Sequence, residues 1–439
     1  MRATIRAGLG RYANLLRAPE PRILIGASSL SDIGDWLNIV ATAVLAYQLG
    51  GDNLLAVGGL LALRKVPGLL LQIPAGILID RVKGPGLLIA SQILMAVLAT
   101  SLVLLSVFPS LWLLYLLMVL FETGNVITFP AFRSAVARWI TPEQRGAATA
   151  LLSLEDSLAS FIGPAIGGLI LALSSVNVVF VLNGLTYLII AAAVAQVGSR
   201  RRGIAEERVT ELDDETAIEP TPVPSGAASG HGLLLRRPDV LGFSLMTLTG
   251  TLILQGAFSL FIIRAIDLGF GEEGIGVFYS ALAAGAIIGG FTAGLGTHMT
   301  RSVLVLIGVM ELANMVGFGL FATLPVPALV LLALVAVGIL SEFAETPALT
   351  YFQNTLPEEV FGRFFSIFMT AIRLGGFIGV LFVPWIGART GYSNALLILV
   401  AFEAAIAIGY LAFARRWQQP IPPDAPVSNQ IGPVSEAAT

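Results

Sequence analysis

The chain of 439 residues has no cysteine and only two histidines, and charged residues make up just 12% of it. Without cysteine it can form neither a disulfide nor a thiolate metal site, and His231 and His298 are not placed to bind a metal together. The GxxxxGK[ST] loop that cradles nucleotide phosphates is also missing. We therefore predict no metal, no cofactor, no nucleic-acid partner and no enzymatic activity.

What the chain does have is apolar residues, which make up 56% of it and give a mean hydropathy of +0.85. Uncharged runs of about 20 residues recur, and each is long enough to cross about 30 Å of hydrocarbon as a helix. The runs are continuous and do not alternate, which favours helices over a barrel. We place membrane helices at about 22–49, 54–78, 85–107, 111–133, 146–173, 176–198, 240–266, 273–297, 302–323, 327–352, 364–386 and 394–414.

Basic residues indicate the orientation and the domain limits. Most of the 25 Lys and Arg residues lie before the first helix, in alternate loops, in the central segment or after the last helix, and such residues accumulate on the cytoplasmic side. Both termini are therefore predicted to be cytoplasmic. The predicted parts are a leader (1–21), a six-helix bundle (22–198), a flexible acidic and then Pro-rich linker (199–239), a second six-helix bundle (240–416) and a disordered tail (417–439).

The two bundles look like copies of one another at a spacing of about 218 residues. LLRAPEP at 15–21 matches LLRRPDV at 234–240, and Gly58 matches Gly276. Parallel six-helix repeats joined by a linker are one known transporter architecture, with the substrate between the halves near mid-membrane. The predicted fold is therefore an all-α polytopic membrane protein with twelve helices in two pseudo-symmetric bundles.

Two motifs accompany the repeat. GILIDRVKGPG (76–86) resembles the signature between helices 2 and 3 of the major facilitator superfamily, although Lys83-Gly84-Pro85 departs from the usual Gly and basic pair. GPAIGG (163–168) resembles the helix 5 signature of its proton antiporters, although Ala159 replaces an upstream Gly. The arginine signature of helix 4 is missing. With the twelve spans, these motifs make the whole chain similar to that family, most of all to its bacterial drug-efflux and siderophore-export members.

The resemblance implies a monomeric secondary transporter in a bacterial inner membrane that exports drug-like or siderophore-like amphipathic molecules by proton antiport. It implies a gating loop formed by Gly76, Asp80, Arg81 and Lys83, and a helix 5 seam, formed by Gly163, Pro164, Gly167 and Gly168, that limits leakage. The alternatives are a solvated turn for the loop and simple close packing for the glycines. Uptake or lysolipid flipping on the same fold also stays open, because the helices do not encode direction.

Charged residues lie near mid-depth in several predicted helices. In SDIGDW (31–36), Asp32 is about 15 Å along the helix from Arg22, and Asp35 is one turn further. Each such charge costs about 2.5–3.5 kcal/mol at the membrane centre. The other acids at this depth are Glu122, Glu155, Asp156 and Glu342, and the bases are Arg64, Lys65 and Arg373. These groups must face a polar cavity, pair with one another or be protonated.

The acids in this set outnumber the bases, so fixed pairing cannot neutralise all of them. Burial disfavours the charged form of a carboxyl group, which makes proton binding near neutral pH feasible. We predict that this set couples protons to substrate, that one or more of its N-terminal acids exchanges the proton, and that Arg64 favours the deprotonated form of its partner. The surplus acids also favour cationic or neutral substrates. The alternative is a set of fixed ion pairs that only orient the helices.

Overall fold

The computed structural model describes residues 15–81, 85–139, 142–209, 237–296, 302–356 and 358–417. These residues form twelve long helices and no strand. The helices are α1 (Pro19–Leu49), α2 (Leu54–Arg81), α3 (Pro85–Ser101), α4 (Leu111–Trp139), α5 (Pro142–Leu173), α6 (Val176–Val209), α7 (Pro238–Asp267), α8 (Ile275–Gly296), α9 (Val303–Thr323), α10 (Pro327–Thr355), α11 (Glu358–Thr390) and α12 (Tyr392–Trp417). The predicted number and order of helices are confirmed.

Eleven of these helices are long and apolar enough to cross a membrane. The exception is α1, which has 31 residues but carries Asp32, Asp35 and Asn38 in its middle. It lies against α5 and α6 within the first bundle. The one described helix that does not meet these criteria is therefore packed among neighbours from the same bundle.

Several helix ends extend beyond the predicted ones. The helix α6 continues to Val209, although the apolar run ends near 198. The Arg and Glu residues that follow are good helix formers, so leaving the apolar run does not by itself end a helix. Most of the predicted leader, linker and tail (1–14, 210–236 and 418–439) lie outside the described residues.

The two bundles repeat one packing scheme. In the first, α1 packs on α5, α2 on α4 and α3 on α6. In the second, α7 packs on α11, α8 on α10 and α9 on α12. The bundles meet where α5 crosses α8 and where α2 crosses α11. The crossings are related in the same way as the helices, so the contact between the bundles shares the pseudo-symmetry.

The apolar core shows at which end the bundles are joined. We call the end with the brief connections at 50–53, 174–175 and 391 the short-loop end, and the opposite end the linker end. Near the short-loop end one buried cluster runs through both bundles and includes Val44 and Phe278. Near the linker end each bundle has its own cluster, around Phe132 in the first and Phe364 in the second. In the described residues, the bundles are thus joined at the short-loop end.

Candidate functional site

A chain of adjoining cavities lies between the two bundles at mid-depth. The first, called the basic cavity, has a volume of about 590 Å³ and is lined by α2, α4, α7 and α11. Its charged lining residues are Arg64, Lys65, Glu122, Arg133 and Arg373. Four of the charges singled out in the sequence, Arg64, Lys65, Glu122 and Arg373, are therefore brought together there.

The second cavity, called the acidic cavity, lies on the side of α5, α8 and α10 and has a volume of about 530 Å³. Its charged lining residues are Asp156, from the first bundle, and Glu342, from the second. A smaller cavity of about 260 Å³, called the bridging cavity, shares lining residues with both. It shares Lys65 and Gln255 with the basic cavity, and Trp36 with the acidic one.

One ion pair joins two of the predicted charges. The Nε–H of Arg64 on α2 donates to Oε1 of Glu122 on α4 over 2.6 Å. Their side chains are only 15% and 13% exposed, so the pair is largely removed from solvent. Because α2 packs directly on α4, the two side chains meet within the first bundle. This pair matches the alternative of a fixed ion pair.

Two other predicted acids are held by hydroxyl groups. The Tyr187 hydroxyl donates to Oδ1 of Asp35 over 2.5 Å. Ser28 and Ser29 donate to the two oxygens of Glu155, over 2.5 and 2.6 Å. Asp35 and Glu155 thus sit among helices of the first bundle, and neither lines the cavities between the bundles described above.

The remaining predicted charges have no ion pair within the described ranges. These are Asp32, Lys65, Asp156, Glu342 and Arg373. Arg373 donates a hydrogen bond to the neutral side chain of Gln72. Five of the nine candidate charges therefore have no ion pair among the described residues and can interact with a ligand or a proton.

Arg133, which the sequence analysis did not assign to the site, lines the basic cavity and interacts with the acids of α1 and α5. Its charge acts on Asp32, Glu155 and Asp156, and its guanidinium lies 4.7 Å from the ring centre of Phe129. The three acids thus outnumber the base that interacts with them, which leaves this region with surplus negative charge.

The helix 5 motif makes two different contacts. An ideal Cβ on Gly163 would lie 2.5 Å from Cβ of Trp36, so this glycine lets α5 approach α1 within the first bundle. On the other side, a Cβ on Gly168 would lie 2.6 Å from the carbonyl oxygen of Glu273, and the carbonyl of Pro164 lies against Gly276. The motif therefore packs one bundle internally and also joins it to the other.

The repeated glycines Gly58 and Gly276 occupy equivalent crossings between the bundles. A Cβ on Gly58 would lie 2.5 Å from the carbonyl oxygen of Val380 on α11, just as Gly276 lies against Pro164 on α5. We call Gly58, Gly168 and Gly276 the glycine seam. The seam brings backbone against backbone at the short-loop end.

The packing role of Gly163 leads to a stability prediction. We expect Gly163→Ala to lower the free energy of unfolding by about 1–3 kcal/mol, because the added methyl group overpacks the contact with α1. Gly26→Ala is the matched control, since nothing lies within 4 Å of its Cβ position. Thermal unfolding of both purified variants measures the difference, and equal midpoints would contradict the packing role.

Three of the four residues of the predicted gating loop lie at the end of α2. Gly76, Asp80 and Arg81 belong to the last turns of α2, which ends at Arg81. Lys83 lies outside the described residues. The latch between the bundles that the resemblance implies stays a prediction.

Two acids of the second bundle, one buried and one half-buried, were missed by the sequence analysis. Glu403 on α12 is 0% exposed, and neither carboxylate oxygen meets a hydrogen-bond donor in the described part of the chain. The neighbouring Thr249 hydroxyl donates to the carbonyl of Leu245 over 2.9 Å. Glu311 on α9 lies against Gly250 and lines a separate cavity of about 230 Å³. Both acids interrupt apolar runs, the same signal that singles out Asp32.

Two helical bundles with a charged cavity between them have the architecture of secondary transporters. The sequence profile of the Major Facilitator Superfamily matches residues 24–380. The chain belongs to that superfamily.

Named relatives and solved structures agree with this membership. The chain is 23% identical over 383 residues to BacE of Bacillus subtilis, named as a bacilysin exporter, covering 87% of this chain and 92% of the relative. It is 26% identical to the enterobactin exporter EntS of Citrobacter koseri, covering 73% and 74%. A bacterial homologue of the lysosomal transporter Spinster, solved in an inward-facing conformation, superposes with a TM-score of 0.72 at 14% identity, covering 92% and 99%. The chain is therefore similar in sequence to exporters and in fold to transporters.

Proposed function

We propose that the protein exports small amphipathic molecules across a bacterial inner membrane in exchange for protons. The observation that carries this is the cavity system between the bundles, which is lined by charges that lack ion pairs. A cavity of several hundred Å³ is the size that binds drug-sized molecules. The names of its relatives, exporters of bacilysin and enterobactin, support the direction of transport.

Alternating access is supported by the uneven packing of the two ends. The bundles share one apolar core at the short-loop end and have separate cores at the linker end. The distribution of Arg and Lys favours a cytoplasmic linker end. In this proposal the structure is an inward-facing state, and rocking of the bundles exposes the same cavities to the other side.

Proton coupling is assigned to the acids that have no ion pair. Asp156 and Glu342 line the acidic cavity, and Asp32 interacts electrostatically with Asp156. A carboxyl group that faces a membrane-enclosed cavity without an ion pair takes up a proton more readily than one in bulk water. These acids take up protons outside and release them inside as substrate binds, whereas the paired Glu122 and the hydrogen-bonded Asp35 and Glu155 hold the first bundle together.

Everted vesicles from a host that lacks its own efflux pumps test this proposal. Respiration acidifies their interior, and a fluorescent probe reports proton release when a panel of amphipathic compounds is added. We expect a compound-dependent loss of the gradient that is absent without the protein. We expect Asp156→Asn and Glu342→Gln to abolish most of this response, because an amide cannot carry the proton.

Glu273→Gln provides the control, since Glu273 lies in the turn before α8 and outside the described cavities. Full responses from both acidic-cavity variants and from Asp32→Asn would refute the coupling assignment. Gradient-driven accumulation of compounds in intact cells would instead favour uptake.

A further inference from the structure

The free charges between the bundles are separated by sign. Lys65 and Arg373 line the basic cavity and have no ion pair in the residues that the structure describes, and Glu122 there is already paired with Arg64. The acidic cavity instead presents Asp156 and Glu342 and no base. The adjoining cavities thus have a positive end and a negative end.

Each end is built from both bundles. Lys65 on α2 faces α11, with its Nζ 3.4 Å from the Cβ position of Gly376, and Arg373 lies on α11 itself. At the other end, Asp156 comes from α5 and Glu342 from α10. A ligand group at either end therefore contacts both moving bodies.

The middle of this space is aromatic. Trp36 of the first bundle packs edge-on against Tyr279 of the second, with ring centres 6.1 Å apart, and Tyr279 packs on Phe258 at 5.0 Å. All three rings line both the bridging and the acidic cavity. Aromatic walls of this kind bind the apolar part of a ligand. They offer no opposite charge to a charged group in the middle of that ligand.

We propose that the transported molecule is zwitterionic, with an anionic group bound by Lys65 and Arg373 and an ammonium group bound between Asp156 and Glu342. Both bases suit a carboxylate, Arg373 as a planar fork and Lys65 as a point charge. A purely cationic substrate would leave the two bases inside the membrane without an opposite charge. A purely anionic substrate would leave the two acids without one.

This inference rests on the proposed function only in placing the substrate between the bundles. It also supplies a physical link between substrate and proton. An ammonium group and a proton neutralise the same carboxylates, so binding of one displaces the other. The acidic cavity then exchanges them, which is what antiport requires.

Equilibrium binding to the purified full chain in lipid nanodiscs tests the substrate class without any gradient. The probes are phenylalanyl-alanine with free ends, its N-acetyl form, its C-terminal amide and the doubly capped form. We expect the free dipeptide to bind roughly 10- to 100-fold more tightly than either singly capped form, because each cap removes one charge-assisted contact.

The variants assign each end of the ligand. In Glu342→Gln the N-acetyl form should bind as well as the free dipeptide, and in Arg373→Gln the C-terminal amide should do so. Arg389→Gln is the matched control, because Arg389 stacks on Trp385 away from the described cavities. Thermal unfolding verifies that each variant is folded.

Equal binding of all four probes, preferred binding of the amide by the wild-type protein, or no binding of the free dipeptide overturns the zwitterion proposal. So does a loss of preference that is the same in both variants. These outcomes leave proton exchange in vesicles unaffected. Conversely, tight binding of the free dipeptide without any proton movement in vesicles would contradict the proton coupling and support the zwitterionic substrate class.

Discussion

Arg64→Leu is expected to lower the free energy of unfolding by about 3 kcal/mol, because it leaves the carboxylate of Glu122 buried without its partner. In the wild-type protein the two groups are 2.6 Å apart and mostly shielded from solvent. Removing one member of a buried pair costs more than removing both. Denaturant-induced unfolding of the purified variant, followed by its intrinsic fluorescence, measures the loss.

The double variant Arg64→Leu with Glu122→Leu separates stability from transport. Replacing a buried ion pair by apolar residues of similar size is often neutral or stabilising. We therefore expect the double variant to regain wild-type stability but to lose transport, since both residues line the basic and the bridging cavities. A single variant as stable as the wild type would contradict the burial of this pair, and an active double variant would limit the pair to a structural role.

Gly276→Leu is expected to shift the protein away from the conformation that is closed at the short-loop end. The new side chain would collide with the carbonyl of Pro164. Overpacking of about 1–3 kcal/mol changes a two-state equilibrium by roughly 5- to 150-fold. Because this collision disappears when the bundles separate, we expect the chain to remain folded and transport to fall.

Cross-linking across the short-loop end measures this shift. The Gln48 amide donates to Glu272 over 2.6 Å between the bundles, so Gln48→Cys and Glu272→Cys form a reporter pair. The natural chain has no cysteine, so only this pair reacts. Gly409→Leu is the control, since nothing lies within 4 Å of its Cβ position. Undiminished cross-linking in the Gly276→Leu background would show that the seam does not set the conformation.

The sequence was sufficient to predict the helices, because their signal is local. The largely apolar runs at 54–78 and 327–352 correspond to Leu54–Arg81 and Pro327–Thr355. An apolar run shows only where a helix can contact hydrocarbon. The backbone hydrogen bonds of the helix continue beyond that point, so several helices are longer than predicted. The spacing of Gly58 and Gly276 also carried structural information, since both lie at crossings between the bundles.

The partners of the charged residues could not be predicted in the same way. Helix depth places Arg64 and Glu122 at one level, as it does Lys65, but it does not show which side chains face each other. Pairing depends on which helices are neighbours and how each is rotated, and both are set by packing across the whole bundle. A count of acids and bases gives the surplus of acids among these residues, but it does not give the separation of the signs into two cavities.

The glycine seam has a consequence for how the closed end comes apart. Contacts between backbone carbonyls and Cα hydrogens are short-ranged, and a gap of 0.5–1 Å already removes about a quarter to a half of the dispersion energy. The three atoms nearest to a Cβ on Gly276 are all backbone atoms, of Pro164 and Gly168. A contact of this kind loses most of its energy at a small separation. We therefore expect α5 and α8 to separate abruptly, with few half-open intermediates.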